Sequence, residues 1–294
     1  MNGSSNTYTR ESIVNRAKDN KPKLLDLVRI EMRTKHYSKR TEEVYVNWIK
    51  EFVRFHHMKH PNIMGENEIS KYLNYLAVNR KVSSSTQNQA LCSIIFLYKH
   101  VLKIDVGKFD IVWAKKPKKL PVVLTKEEVK QILINLKGTT WIVGNILYGS
   151  GLRLLECLRI RVQDIDFTNN QIIIRNGKGG KDRVSMLPFL VKDALKAKLA
   201  DVKKLHLKDL KKGYGKVYLP YALERKYPSA NTEFKWQYVF PSESLSKDPS
   251  SGAVRRHHIN ESIIQKAVKE AIKKAGINKS AGCHTLRHLT REIK

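Results

Sequence analysis

The segment at residues 149–156 reads GSGLRLLE. Its glycines allow a tight turn, which places Arg153 at the start of a helix, near the positive end of the helix dipole. Glu156 follows one helical turn later, where it is able to hold Arg153. A planar guanidinium in this position suits an anion, because it forms paired hydrogen bonds to phosphate oxygens. The alternative is an ordinary surface arginine paired with Glu156.

Two later segments carry similar groups. The segment NGKGGKDR at residues 176–183 joins two β-branched runs and predicts a hairpin. A lysine at its tip, Lys178, could reach into a DNA groove or donate a proton to a leaving oxygen. HTLRH at residues 284–288 puts His284 and Arg287 on one helix face, where they suit a phosphate whose charge grows in a transition state. The alternatives are a polar loop in a lysine-rich protein and two surface residues of a helix.

The composition indicates a nucleic-acid partner. The 294 residues include 56 Lys and Arg against 27 Asp and Glu, a formal net charge of +29, and 41% are hydrophobic. A folded surface with this charge attracts polyanions, since each neutralised phosphate releases condensed counterions. An anionic membrane is the weaker alternative, because no apolar run approaches the ~20 residues of a spanning helix.

The N-terminus and the cysteines suggest a cytoplasmic location. Residues 1–20 lack the apolar stretch of a signal peptide and read as a flexible tail. Cys92, Cys157 and Cys283 are widely spaced and form no CxxC pair, which disfavours a disulfide framework or a zinc site.

Helical periodicity predicts two domains joined by a linker. Residues 21–105 contain four amphipathic helices, and residues 125–294 form a mixed, mostly helical domain that opens with a capping box at Thr125 and Glu128. The linker at residues 106–124 contains Pro117 and Pro121 and reads either as a solvated hinge or as a strap along a phosphate backbone. The strap residues would be Lys115, Lys116, Lys118 and Lys119.

The three motifs in this order, GLRxxE, GKG and HxLRH, resemble those of the tyrosine recombinases, and they resemble the integron integrases most closely. The extra segment of that branch resembles about residues 214–258 here, and the whole resemblance covers about residues 21–288. It implies a mainly α fold with a small β-hairpin (α+β). An all-helical, SAM-like core-binding domain and a catalytic domain would form a C-shaped clamp around DNA.

The resemblance also implies a reaction that uses neither metal nor nucleotide cofactor. A tyrosine attacks a DNA phosphodiester and is left joined to the 3′ phosphate, and a freed 5′ hydroxyl reverses the step. Arg153, Arg287 and His284 would stabilise the phosphoryl transition state, and Lys178 would protonate the leaving 5′ oxygen.

Integron integrases also bind folded single strands, so the implied partners are double-stranded recombination sites and hairpins with protruding bases. Stacking on those bases is sequence-tolerant. The candidates for this contact are Trp236, Pro249, His257 and His258, with Arg255 and Arg256 as DNA contacts. The alternatives are a core position for Trp236 and plain phosphate contacts for the histidines.

The sequence departs from the family after Arg287, where only seven residues follow. The resemblance places the nucleophilic tyrosine roughly thirty residues beyond this arginine, whereas the last tyrosine here is Tyr238. We therefore expect a catalytic domain that binds DNA without cutting it, exposes apolar surface and assembles weakly into oligomers. The competing hypotheses are an incomplete recombinase, a pseudo-recombinase that occupies recombination sites at the bacterial nucleoid, and a general basic nucleic-acid-binding protein.

Overall fold

The computed structural model describes residues 22–105, 113–115, 120–177, 180–220, 223–249 and 251–288. The chain divides into two compact units, Met1–Lys119 and Leu120–Lys294. This division falls inside the segment predicted as a linker. Both units are mainly helical and strands are few, as the sequence predicts.

The first unit is all-helical in its described residues. Its α-helices are α1 (Leu24–Thr34), α2 (Lys39–Phe55), α3 (Glu66–Asn74) and α4 (Ser84–Phe96). A 3₁₀ turn at Pro61–Ile63 precedes α3, and π-helical turns at Tyr75–Asn79 and Leu97–Leu102 extend α3 and α4.

Apolar stripes on these helices build the core of the first unit. In α2 the buried apolar positions are Val46, Ile49 and Phe52, and Val44 and Trp48 are half-buried. The N-cap of α4 is Ser83, whose hydroxyl accepts the Thr86 N–H at 3.2 Å.

The second unit opens with the predicted capping box. The Thr125 hydroxyl accepts the Glu128 N–H at 3.1 Å, and the Glu128 carboxylate accepts the Thr125 N–H at 2.7 Å. This reciprocal pair satisfies two of the N–H groups that a helix leaves without partners. The helices up to the hairpin are α5 (Lys126–Ile134), α6 (Gly138–Ser150) and α7 (Leu154–Leu158).

A three-stranded antiparallel sheet follows α7. Its order is β1 (Ile165–Asp166), β2 (Gln171–Ile174) and β3 (Arg183–Met186), with Ile174 opposite Arg183 at the end of the hairpin. Ile172 and Ile174 are buried, whereas Val184 and Met186 are exposed on the edge strand. One face of the sheet therefore packs on the core, as alternation in an antiparallel sheet requires.

The remaining elements surround the same core. They are α8 (Lys192–Lys211), α9 (Leu223–Lys226), β4 (Ser246–Lys247), β5 (Val254–Arg255), α10 (Glu261–Lys274) and α11 (Cys283–His288). The large core includes Ile146 of α6, Val268 of α10 and Leu286 of α11. Packing through these residues brings α11, at the far end of the sequence, against the turn that follows α6.

No helix among the described residues is both long and apolar enough to cross a membrane.

Candidate DNA-phosphate site

The turn after α6 positions two arginines. Gly151 ends the helix in the left-handed conformation, with φ of 63°, a geometry that glycine adopts without a steric penalty. The Gly151 carbonyl oxygen accepts a hydrogen bond from Arg287 Nε at 2.8 Å. The GLR turn therefore holds the arginine of the HxLRH motif, which lies 136 residues later in the chain.

Arg153 occupies the N-cap position of α7, with extended backbone angles. Its backbone N–H donates to Glu156 Oε2 at 2.9 Å, and its Nη1 donates to Glu156 Oε1 at 2.6 Å. The structure therefore confirms the predicted ion pair. About a third of the Arg153 side chain remains exposed, so its guanidinium is held and still accessible to a ligand.

Glu156 also receives a second arginine. Arg183, at the start of β3, donates from Nη2 to Glu156 Oε2 at 2.8 Å. Burial raises the pKa of the carboxyl, but hydrogen bonds from Arg183 and from the backbone and side chain of Arg153 outweigh it, and the pKa falls to about 2. The carboxylate thus stays charged and holds two guanidiniums together. Sequence reasoning gave Arg183 no role, because its partner lies 27 residues away.

The base of the hairpin lies against this cluster. A Cβ on Gly177 would lie 3.0 Å from the Lys181 carbonyl oxygen and 3.2 Å from Arg183 Nη1, so a side chain there would displace the turn or the arginine. The predicted general acid, Lys178, lies outside the described residues, and its role stays a prediction.

A cavity of about 370 Å³ brings the first and last motifs together. Arg153 and His284 both line it, and Gln265 and Lys269, one turn apart on α10, line it as well. His284 is exposed, and Arg287 is half-buried on the same short helix. Sequence reasoning missed Gln265 and Lys269, whose spacing of four residues on an amphipathic helix was the available signal.

A second cavity, of about 590 Å³, is also lined by Arg153 and Glu156. Its other lining residues include Tyr218, Trp236 and His257, so aromatic rings and guanidiniums line the same cavity. Trp236 is half-buried and packs against a small apolar cluster around Val217 and Leu219. Its role in base binding stays a prediction.

The other predicted base-binding residues are placed differently. The His258 ring lies edge-on to Tyr238, with centroids 5.5 Å apart, and its Nδ1 hydrogen-bonds to the Ile259 carbonyl oxygen at 2.8 Å. Burial lowers the pKa of His258 to about 4, so this imidazole is neutral at pH 7. Pro249 is exposed in a turn. Neither residue lines the cavity that contains Trp236.

Arg255 and Arg256 have internal partners, which runs against their prediction as DNA contacts. Arg256 forms a two-pronged pair with Asp209 of α8 at 2.5 and 2.8 Å, and Arg255 is buried and pairs with Glu224 at 2.8 Å. A guanidinium paired with a buried carboxylate, as Arg256 is with Asp209, is poorly disposed to leave it for phosphate. Of the linker lysines, Lys115 is exposed, and Lys116, Lys118 and Lys119 lie outside the described residues.

Metal-ligating side chains do not cluster within the described ranges, since no group of three His, Cys, Asp or Glu residues there could hold an ion.

Comparison with known proteins identifies the family of both units. The profile of the phage integrase N-terminal SAM-like domain matches residues 24–108, and that of the phage integrase family matches residues 122–291. An integrase/recombinase of Escherichia coli is 45% identical over 267 residues, which cover 90% of this chain and 79% of the relative. A protein of the same description from Pseudomonas aeruginosa matches to the same extent.

Solved structures show the same fold. The XerH site-specific recombinase bound to its difH substrate matches with a TM-score of 0.59 at 17% identity, covering 99% of this chain and 79% of that one. A lambda integrase tetramer bound to a Holliday junction matches with a TM-score of 0.55 at 12% identity, covering 97% of this chain and 70% of that one. The chain belongs to the phage integrase family of site-specific tyrosine recombinases.

Proposed function

We propose that this chain binds recombination-site DNA and holds one backbone phosphate between Arg153, His284 and Arg287. The observation that carries the proposal is the anchoring of both arginines to one turn, Arg153 through Glu156 and Arg287 through the Gly151 carbonyl. Donors fixed in advance stabilise charge that develops at phosphate without having to reorganise during the reaction.

In the reaction that the resemblance implies when a nucleophile is supplied, a tyrosine hydroxyl gives up its proton to water, its oxygen attacks phosphorus, and the bond from phosphorus to the 5′ oxygen breaks. The DNA 3′ phosphate is then carried on tyrosine, and the 5′ oxygen takes a proton from Lys178. Attack by a partner strand's 5′ hydroxyl reverses both changes, so the energy of the bond is conserved. Arg153, Arg287 and His284 would balance the added negative charge, and copies of the chain would assemble on DNA.

We further propose that the substrate is of the integron type, a folded single strand with protruding bases. The support for this is the aromatic wall, which we define as Tyr218, Trp236 and His257 in the 590 Å³ cavity that Arg153 also lines. A phosphate at Arg153 would leave a base of the same strand within reach of rings on which to stack.

The 294 residues are proposed to bind without cutting. Two tyrosines share a cavity with Arg153, and one of them, Tyr238, is almost wholly buried. Burial raises the pKa of Tyr238 despite the nearby Arg161 guanidinium, so its hydroxyl stays protonated and is a poor nucleophile. The burial of Tyr238 therefore disfavours it as the nucleophile, and Tyr218, which is 47% exposed in the same cavity, is the tyrosine whose attack the following test would reveal.

A labelled, nicked suicide recombination site tests the proposal. We expect purified protein to shift this DNA on a native gel and to leave no protein-linked DNA on a denaturing gel. A lane with a recombinase that is known to cleave this site checks that the DNA is cleavable. An adduct from this chain alone would show that one of its tyrosines attacks. Absence of a native shift would contradict DNA binding itself.

A further inference from the structure

Arg161 is a buried cation whose guanidinium donates its hydrogen bonds to neutral groups. It is 8% exposed, and within the described part of the chain its guanidinium forms no ion pair with a carboxylate. The nearby Asp164 is committed elsewhere, since it accepts hydrogen bonds from Arg175 Nε and from the Arg161 backbone N–H. A buried charge with only neutral partners is costly, so its contacts call for an explanation.

Both backbone carbonyl groups that accept from the Arg161 guanidinium belong to the aromatic wall. Arg161 Nη1 donates to the Trp236 carbonyl oxygen at 2.6 Å, and Nη2 donates to the Tyr218 carbonyl oxygen at 2.7 Å. The guanidinium carbon also lies 4.6 Å from the centre of the Tyr238 ring and 5.7 Å from the centre of the Trp236 ring. One planar fork therefore fixes two residues of the wall that are far apart in sequence.

The backbone on either side of Arg161 strengthens this connection. The Val162 N–H donates to the Gln237 carbonyl oxygen, and the Val239 N–H donates to the Ile160 carbonyl oxygen, both at 3.0 Å. Arg161 and Tyr238 thus form an antiparallel bridge. This paired segment begins just after α7, whose N-cap is Arg153. It therefore connects the proposed phosphate site to the aromatic wall.

We propose that Arg161 is a positioning residue. It holds Trp236 and Tyr218 in the position needed to stack on a base while Arg153 holds the phosphate of the same strand. This rests on the proposed base binding by the aromatic wall. Arg161 acts through the wall and has no assigned contact with the reacting phosphate.

The test compares Arg161→Lys with the unchanged protein on two DNAs. One is a hairpin with 2-aminopurine at the protruding position, and the other is a fully paired duplex of the same sequence. Lysine keeps the positive charge and loses the fork that spans two carbonyl oxygens. We expect hairpin affinity to fall about 5- to 100-fold, the range that one lost stacking contact gives, with duplex affinity unchanged. The 2-aminopurine quenching on binding should shrink as well.

A Trp236→Ala variant and the double variant separate positioning from general support. If Arg161 acts through Trp236, the double variant should bind the hairpin no more weakly than Trp236→Ala alone. Additive losses of hairpin affinity in the double variant would overturn the inference. Equal losses of affinity for hairpin and duplex in a variant that is folded by circular dichroism would overturn it as well. Arg161→Gln also lacks the guanidinium fork. If the fork is what matters, this variant should lower hairpin affinity and leave duplex affinity unchanged, as Arg161→Lys does. Should Trp236→Ala itself leave hairpin binding unchanged, base binding by the wall fails, and the inference about Arg161 fails with it.

Discussion

Glu156 accepts hydrogen bonds from three donors, which are the Arg153 backbone, the Arg153 guanidinium and the Arg183 guanidinium. Its side chain is only 11% exposed, so little water competes for these bonds. Arg153 and Arg183 would otherwise repel each other. A carboxylate between them permits two cations to sit beside a proposed phosphate site.

Replacing Glu156 by glutamine keeps the shape of the side chain and removes its charge. We expect Glu156→Gln to lower the free energy of unfolding by roughly 1–3 kcal/mol at pH 7, measured by urea denaturation. The folded pKa of Glu156 is about 2, below its ordinary 4.5, so this contribution is complete above pH 4.5 and is lost as pH falls toward 2. The difference between variant and wild type should therefore be constant from pH 8 to 5 and shrink below 4.5.

The matched control for this experiment is Glu233→Gln. Glu233 pairs with Lys235 at 2.7 Å, but both side chains are largely exposed. Such a pair contributes little to stability, so the control should unfold like wild type. Equal effects from the two substitutions would contradict a special role for Glu156.

The sequence predicted the pairing of Arg153 with Glu156 because i,i+3 neighbours meet on any helix. It could not predict Arg183 as the second partner of Glu156, or Asp209 as the partner of Arg256, since these pairs join residues 27 and 47 positions apart. Arg255 and Arg256 were assigned to DNA on charge and resemblance alone. Charge indicates what an arginine prefers to bind, and only the fold decides whether an internal carboxylate is nearer.

At the scale of elements, the ion pair of Asp209 and Arg256 joins α8 to the segment that follows β5. Their side chains are 6% and 11% exposed. Arg256 Nη1 also donates to the carbonyl oxygens of Ser242 and Glu243, so this arginine joins three segments.

We expect Asp209→Ala to destabilise the second unit by about 3–5 kcal/mol, because it leaves the Arg256 guanidinium buried without its partner. Thermal unfolding followed by circular dichroism measures this. Asp201→Ala on the same helix is the control, since Asp201 is exposed and lies 3.8 Å from Lys204. An unchanged unfolding temperature in Asp209→Ala, combined with weaker DNA binding in Arg256→Ala, would restore Arg256 as a DNA contact.

Helices and the hairpin were predictable from the sequence because their signals are local. The capping box at Thr125 predicted the start of α5, and the glycine-rich turn predicted the β2–β3 pair. The aromatic wall was not predictable in its geometry. It depends on Arg161, whose partners Tyr218 and Trp236 lie 57 and 75 residues away.

At the scale of the whole molecule, the net charge of +29 makes DNA binding an electrostatic event. If about six to ten phosphates are contacted, affinity should fall by roughly 10³- to 10⁵-fold between 50 and 200 mM salt. Fluorescence anisotropy across this range measures the slope. The salt dependence of affinity should be nearly the same for hairpin and duplex, because stacking on a protruding base releases no counterions. An affinity that is insensitive to salt would contradict the electrostatic part of the proposal.

The central claim, that Arg153 holds one DNA phosphate, is tested most directly by removing the charge of single phosphates. Wild type and Arg153→Gln would be titrated with hairpins that carry one neutral methylphosphonate at each position in turn. We predict one position at which the methylphosphonate lowers the affinity of wild type but does not further lower the affinity of Arg153→Gln, because the two changes remove the same contact. If the losses add at every position while Arg153→Gln remains folded, Arg153 does not bind phosphate and its ion pair with Glu156 is structural.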